Sequence, residues 1–194
     1  ECGVWKGGYS VFLSHLFKDR TIWVCDSFKG FQEWKDVTYK KLTYPQNGEL
    51  KERFTKEGNQ GMAVPLSTVK NVFKTYNLDD DPRIKFIEGY VNKTLPTLDI
   101  REIALLRIDV DSYSATKEVL DNLYDKVVKG GMIIFDDICL TEASVAIKDW
   151  MIEKKLPLEV HNPYNDEIYS LNERVYDAYV QHPGYHTGSY IIKK

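Results

Sequence analysis

The chain has 194 residues, 43% of them apolar, with 26 Lys and Arg against 29 Asp and Glu for a formal net charge of −3. That length suits a single domain over residues 1–194, since a domain takes roughly 150 residues, and the composition excludes wholesale disorder, a phosphate-driven nucleic-acid binder and, with no apolar run near the ~20 residues a bilayer requires, a membrane span. Cys2, Cys25 and Cys139 are too few and too scattered for a disulfide framework or a zinc site, which makes a reducing cytoplasm the default location.

The chain opens at Glu1, already inside a glycine-bearing turn, so the strand leading into that turn is expected upstream, missing or truncated. After Gly7-Gly8, the spacing of Val11, Phe12, Leu13, Leu16 and Phe17 predicts a helix, and Thr21-Ile22-Trp23-Val24-Cys25 predicts a strand that stops at Asp26. Residues 32–64 read as an insertion with one short helix near 49–56. Ser67 is placed to cap a helix with Val69, Val72, Phe73 and Tyr76 on one face. Arg83-Ile84-Lys85-Phe86-Ile87 predicts a strand running into Glu88-Gly89. Ile103-Ala104-Leu105-Leu106-Arg107-Ile108 predicts a central parallel strand buried on both faces and ending at Asp109.

A helix over 115–124 follows, then a Lys129-Gly130-Gly131 turn and the strand Met132-Ile133-Ile134-Phe135, which ends in Asp136-Asp137. A helix over 142–154, a strand at Leu158-Glu159-Val160-His161, a second insertion at 162–187 and a closing strand at Ser189-Tyr190-Ile191-Ile192 complete the pattern. Such alternation predicts a doubly wound α/β fold, in which ligands bind beyond the carboxyl ends of the strands. Those ends carry Asp26, Glu88, Asp109, Asp136 and Asp137, a density of carboxylates that needs cations or hydrogen-bond donors.

Two groups of residues carry chemistry. Gly3, Gly7 and Gly8 form a turn into a helix, where backbone N–H groups and the Ser10 hydroxyl are suited to a carboxylate, and Asp26 is placed to accept from a ribose diol. The spacing is not the dinucleotide G-x-G-x-x-G, which counts against a NAD-type oxidoreductase. At the other group, Asp109, Asp136 and Asp137 offer hard oxygen ligands at the ends of two strands, a set that suits Mg²⁺ or another divalent cation, and Asp111 is placed to accept a proton from a substrate hydroxyl. Helix capping and solvated loop carboxylates remain the plain alternatives. His182 and His186 are separated by Pro183 and Gly184, which rule out the helix a zinc pair requires; Trp34 and Tyr39 are candidates to line an acceptor pocket, and residues 35–41 read as a solvated surface.

Glu1-Cys2-Gly3-Val4-Trp5-Lys6-Gly7-Gly8, Asp26-Ser27-Phe28-Lys29-Gly30-Phe31, Glu88-Gly89-Tyr90 with Thr94-Leu95-Pro96, Leu106-Arg107-Ile108-Asp109-Val110-Asp111-Ser112-Tyr113, and Lys129-Gly130-Gly131 through Asp136-Asp137 together resemble the macrocin O-methyltransferase family in order and spacing. The resemblance implies a class I, Rossmann-like S-adenosylmethionine (SAM) methyltransferase fold, a mostly parallel sheet with an antiparallel last strand. It implies methylation of a hydroxyl on a small molecule, a sugar or other natural product. It further implies SAM around Glu1, Gly3, Val4, Gly7, Tyr9, Ser10, Asp26, Ser27, Gly89 and Asp109, Mg²⁺ on Asp109, Asp136 and Asp137, and Asp111 as general base. Catechol-type methyltransferases share the metal arrangement, but their lysine base would fall near Ser112. A NAD-type oxidoreductase and a non-catalytic SAM-fold binding protein are the competing classes. The acceptor and any homo-oligomer stay open.

Overall fold

The computed structural model describes residues 1–32, 60–171 and 188–194. They fall into two compact units, the first holding the described residues up to Leu98 and the second those from Asp99 onward. The expected helix at 49–56, Trp34, Tyr39, residues 35–41, His182 and His186 lie outside the described residues. Among the described residues no helix is long and apolar enough to cross a membrane.

The first unit contains α1 (Gly8–Leu16), β1 (Ile22–Asp26), α2 (Leu66–Thr75), β2 (Ile84–Glu88) and α3 (Val91–Thr94). The β-branched run of β1 pairs in parallel with β2 from Ile22↔Ile84 to Asp26↔Glu88, which aligns the two acidic strand ends. Cys2 forms an isolated parallel bridge to Cys25, so the opening residues lie along β1. Helix α1 buries Ser10, Val11, Leu13 and Ser14, whereas Phe12 and Leu16 are exposed. The Arg83 guanidinium closes its C-terminal end by donating to the carbonyls of Phe17 (2.6 Å) and Ser14 (3.3 Å), where a cation also complements the helix dipole.

Two details of α2 differ from the sequence reading. Pro65, not Ser67, occupies the cap position, and its carbonyl accepts from the N–H groups of Thr68 and Val69. Proline's fixed φ, −58° here, starts the helix from extended chain and leaves Ser67 inside the first turn. The buried face narrows to Val69 and Phe73, with Tyr76 exposed beyond the end of the helix. Phe73 meets Phe86 of β2 edge to face at 4.9 Å.

Gly7 shows why the opening turn needs glycine. Its φ is +84°, and a Cβ there would lie 2.9 Å from Val69 Cγ1 and 3.1 Å from Phe73 Cε2. Gly7→Ala therefore combines left-handed backbone strain with overpacking against two fully buried side chains. We expect it to destabilise the protein by about 2–4 kcal/mol, read from urea denaturation midpoints.

The second unit contains β3 (Ile103–Ile108), α4 (Tyr113–Leu123), β4 (Val127–Phe135), α5 (Thr141–Glu153), β5 (Glu159–His161), β6 (Ile168–Ser170) and β7 (Ser189–Ile192). Its sheet has the order β3-β4-β7-β5-β6. Strands β3 and β4 are parallel; β7 runs antiparallel to both β4 and β5, and β5 and β6 form an antiparallel hairpin. That hairpin lies partly in the stretch read as a second insertion, so antiparallel pairing extends beyond the last strand. Ser112 caps α4 by accepting from Ala115 N–H at 3.2 Å, and α4 buries Val119, Leu120 and Leu123 as its spacing requires.

Burial on both faces of β3 is not found. Leu106 and Ile108 are buried, but the alternating Leu105 and Arg107 are only partly covered, and among the described residues β3 pairs on one side alone. Gly130-Gly131 likewise does not make a turn before a strand. It is an irregularity inside β4, where the register to β3 shifts between Ile103 and Leu105. A Cβ on Gly131 would come within 2.8 Å of the Val128 carbonyl, and Gly130 has φ +78°, so glycine is what lets the strand bend and continue.

Candidate active site

The cofactor-side residues expected from the sequence belong to the first unit. The Asp26 carboxylate, at the end of β1, accepts from three backbone N–H groups: Val4 (2.7 Å) and Trp5 (3.3 Å) on Oδ2, and Phe28 (2.7 Å) on Oδ1. It therefore ties the opening turn to the chain that follows β1. A carboxylate has about four acceptor positions, so one remains for a diol. Glu1 is buried and accepts from the Ser10 hydroxyl, so the hydroxyl proposed for a ligand carboxylate is engaged within the chain. Ser27 donates to the Gly30 carbonyl at 2.6 Å and accepts from Lys29 N–H.

Gly89 N–H donates to the Asp26 carbonyl at 2.9 Å, and the glycine's φ of +146° carries the chain sharply away from β2. Gly3 and Val4 belong to the segment bridged to β1, and Tyr9 lies in the first turn of α1. Turn, strand ends and helix start thus meet at one end of this unit.

In the second unit, Asp109 and Asp136 follow the ends of β3 and β4, held level by the Ile108↔Phe135 pairing and by Asp136 N–H donating to the Ile108 carbonyl at 3.0 Å. Asp109, Asp111 and Asp137 each present a carboxylate oxygen, all within 4.8 Å of one another. Asp136 is not in that group. Its Oδ1 lies 2.7 Å from the Arg107 guanidinium, which also reaches Asp109 Oδ2 at 2.8 Å. Asp111, expected outside a metal's ligands, stands in the cluster because its φ of +58° turns it back: its own N–H donates to Asp137 Oδ2 at 2.8 Å. Asp is among the few residues that tolerate that conformation.

The electrostatics record the crowding. Burial, followed by the charges of Asp111, Asp109 and Asp136, pushes the Asp137 carboxyl up to about 8. Burial and then the charges of Asp136 and Glu142 push Asp111 up to about 6. Glu142, buried in the first turn of α5, is a member of this environment that sequence reading missed. Three hard oxygens that gain from a neutralising cation are of the donor type Mg²⁺ takes, although the group holds Asp111 where Asp136 was expected.

A pH dependence follows. Without a cation the folded state retains protons that the unfolded chain releases near pH 4, so stability falls as pH rises from about 4 through 8. We expect the thermal midpoint in chelator to drop between pH 5 and 9 and the drop to flatten in Asp137→Asn; an equal slope in wild type and variant would contradict this origin.

Two further features were not legible in the sequence. The thiols of Cys2 and Cys25, buried side by side, share a hydrogen bond that, ahead of burial, holds Cys2 well above the usual thiol range. At the edge of the second unit's sheet that carries the acidic cluster, His161 stacks on Tyr190 at 4.9 Å, and both hydrogen-bond Asp166. Only the register, Phe135↔Ser189 and Tyr190↔His161, brings these residues to that edge.

Comparison with known proteins identifies the family. The model of the macrocin-O-methyltransferase (TylF) family matches residues 1–169. The mycinamicin III 3''-O-methyltransferase of Micromonospora griseorubida is 35% identical over 157 residues, covering 77% of this chain and 58% of that protein. The demethyldecarbamoylnovobiocin O-methyltransferase of Streptomyces niveus is 37% identical over 142 residues, 71% of this chain and 51% of that protein. The chain thus spans little more than half the length of these curated relatives. The solved structure of the O-methyltransferase NovP superposes with a TM-score of 0.75 at 27% identity, covering all of this chain and 70% of that one. The calicheamicin methyltransferase CalS11, at 21% identity and a TM-score of 0.65, covers 98% of this chain and 69% of its own, and shares the fold. With a family match running from the glycine turn through both acidic strand ends, this chain belongs to the macrocin O-methyltransferase family.

Proposed function

We propose that the protein transfers the methyl group of SAM to a hydroxyl of a small molecule, a sugar or other natural product, with the help of a divalent cation. The observation that carries this reading is the convergence of Asp109, Asp111 and Asp137 within 4.8 Å in a chain of this family. SAM supplies an electrophilic methyl; Gly3, Val4, Gly7, Tyr9, Ser10, Asp26, Ser27 and Gly89 are the residues assigned to it, and the family resemblance assigns Asp109 to it as well. Asp109, Asp136 and Asp137 are the residues assigned to Mg²⁺, which when bound acidifies and orients the acceptor hydroxyl.

The chain's own residues then have limited tasks. Asp111, whose carboxyl burial and the charges of Asp136 and Glu142 raise to about 6 in the ion-free chain, takes the hydroxyl proton onto a carboxylate oxygen. Its backbone N–H keeps the Asp137 carboxylate oriented. Arg107 holds Asp109 and Asp136. Methyl transfer asks little covalent chemistry of a protein, so alignment supplies much of the rate.

Calorimetric binding of SAM in preference to NAD, followed by label transfer from methyl-labelled SAM to a panel of glycosides and phenols, tests the reading. NAD binding with no SAM binding would favour an oxidoreductase. SAM binding without transfer to any hydroxyl would favour a non-catalytic binding protein.

A further inference from the structure

Arg107, the penultimate residue of β3, has a side chain only 11% exposed, and one guanidinium nitrogen lies 2.8 Å from Asp109 Oδ2 and 2.7 Å from Asp136 Oδ1. A guanidinium stays charged at any pH the protein meets and holds its donors in a rigid fork. Asp109 also contributes to the group of oxygens within 4.8 Å that includes Asp111 and Asp137. One fixed positive charge therefore already stands on two of the carboxylates assigned to a divalent ion. We propose that Arg107 is the resident counter-cation of the acidic centre and that a divalent ion binds in competition with it for Asp109 and Asp136.

This rests on the divalent-cation reading above and adds what sets the affinity. Like charges a few ångströms apart in a partly buried site repel strongly, so Arg107 weakens the ion's hold. It also keeps the carboxylates from repelling one another while the ion is away. The centre then binds an exchangeable ion, and the negative charge that develops on an acceptor oxygen strengthens the binding. The opposite role, an arginine that merely orients the carboxylates, predicts the opposite sign: its removal would loosen the ion.

The test is a titration of the purified protein with Mn²⁺, with the free ion counted by electron paramagnetic resonance, on wild type, Arg107→Met, Arg107→Lys and the double variant Arg107→Met with Asp136→Asn. The expected result is binding at least about tenfold tighter in Arg107→Met, within about threefold of wild type in Arg107→Lys, and a return toward wild type in the double variant, where the exposed negative charge is removed as well. In thermal melts, Arg107→Met should start lower than wild type and gain more from Mn²⁺. Unchanged or weaker Mn²⁺ binding by folded Arg107→Met would overturn the proposal. If that variant folds only with the ion, Arg107→Gln is titrated in its place with the same expectation. A wild type that takes up no Mn²⁺ would instead remove the divalent-cation reading itself, so the two failures are distinguishable.

Discussion

Asp111→Asn should lose turnover by about 100-fold or more while binding SAM as wild type does, a loss of the size general-base removal produces. The substitution is a narrow one. Asn keeps the side-chain size and tolerates the left-handed backbone that Asp111 adopts at φ +58°. The contact to Asp137 comes from the backbone N–H of residue 111, so it survives the change. What disappears is the carboxylate oxygen that would receive the proton. Calorimetry with SAM and a label-transfer assay read the two effects separately, and a fully active variant would remove Asp111 from the mechanism.

Asp137→Ala should have the second large effect. Asp137 is buried, shares the 4.8 Å group with Asp109 and Asp111, and accepts the hydrogen bond that positions Asp111. Removing it takes away one carboxylate assigned to the ion and frees the residue assigned as base. Divalent-ion affinity should fall by more than the roughly 10–100-fold that loss of an outer-shell partner produces, and turnover should fall with it. The metal-free protein should meanwhile melt higher above pH 8, because a buried carboxylate whose pKa stands at about 8 no longer has to ionise. Loss of function with a gain in metal-free stability is hard to produce by misfolding, which makes the pair of readings informative.

Much of the fold was legible because hydrophobic period and strand-end chemistry agree. The apolar runs at 22–25, 84–87, 103–108, 132–135 and 189–192 all became strands, and an acidic residue follows each of the first four at its carboxyl end. The departures came from local backbone geometry. Gly130-Gly131 reads as a turn by composition, yet the same freedom serves a bulge within β4. Pro65 took the cap from Ser67 because its φ is already set. Strand β6 was hidden because Ile168, Tyr169 and Ser170 are too few to show a period, and only pairing with β5 defines them.

The acidic site was legible as to which residues, less so as to how they group. Spacing brought Asp109 and Asp136 to neighbouring strand ends, but it does not disclose that Arg107 spans them, or that a positive φ folds Asp111 back onto Asp137. Glu142 and the His161–Asp166–Tyr190 group were missed for the same reason. Their place at the edge depends on a helix start and on antiparallel register, neither of which has a short sequence signal.

The most direct measurement is transfer of labelled methyl from SAM to a hydroxyl acceptor, followed first in chelator and then after Mg²⁺ is restored. Cation-dependent methyl transfer requires that the reaction stop in chelator and return with Mg²⁺ in wild type but not in Asp137→Ala. Transfer that continues undiminished in chelator would contradict it.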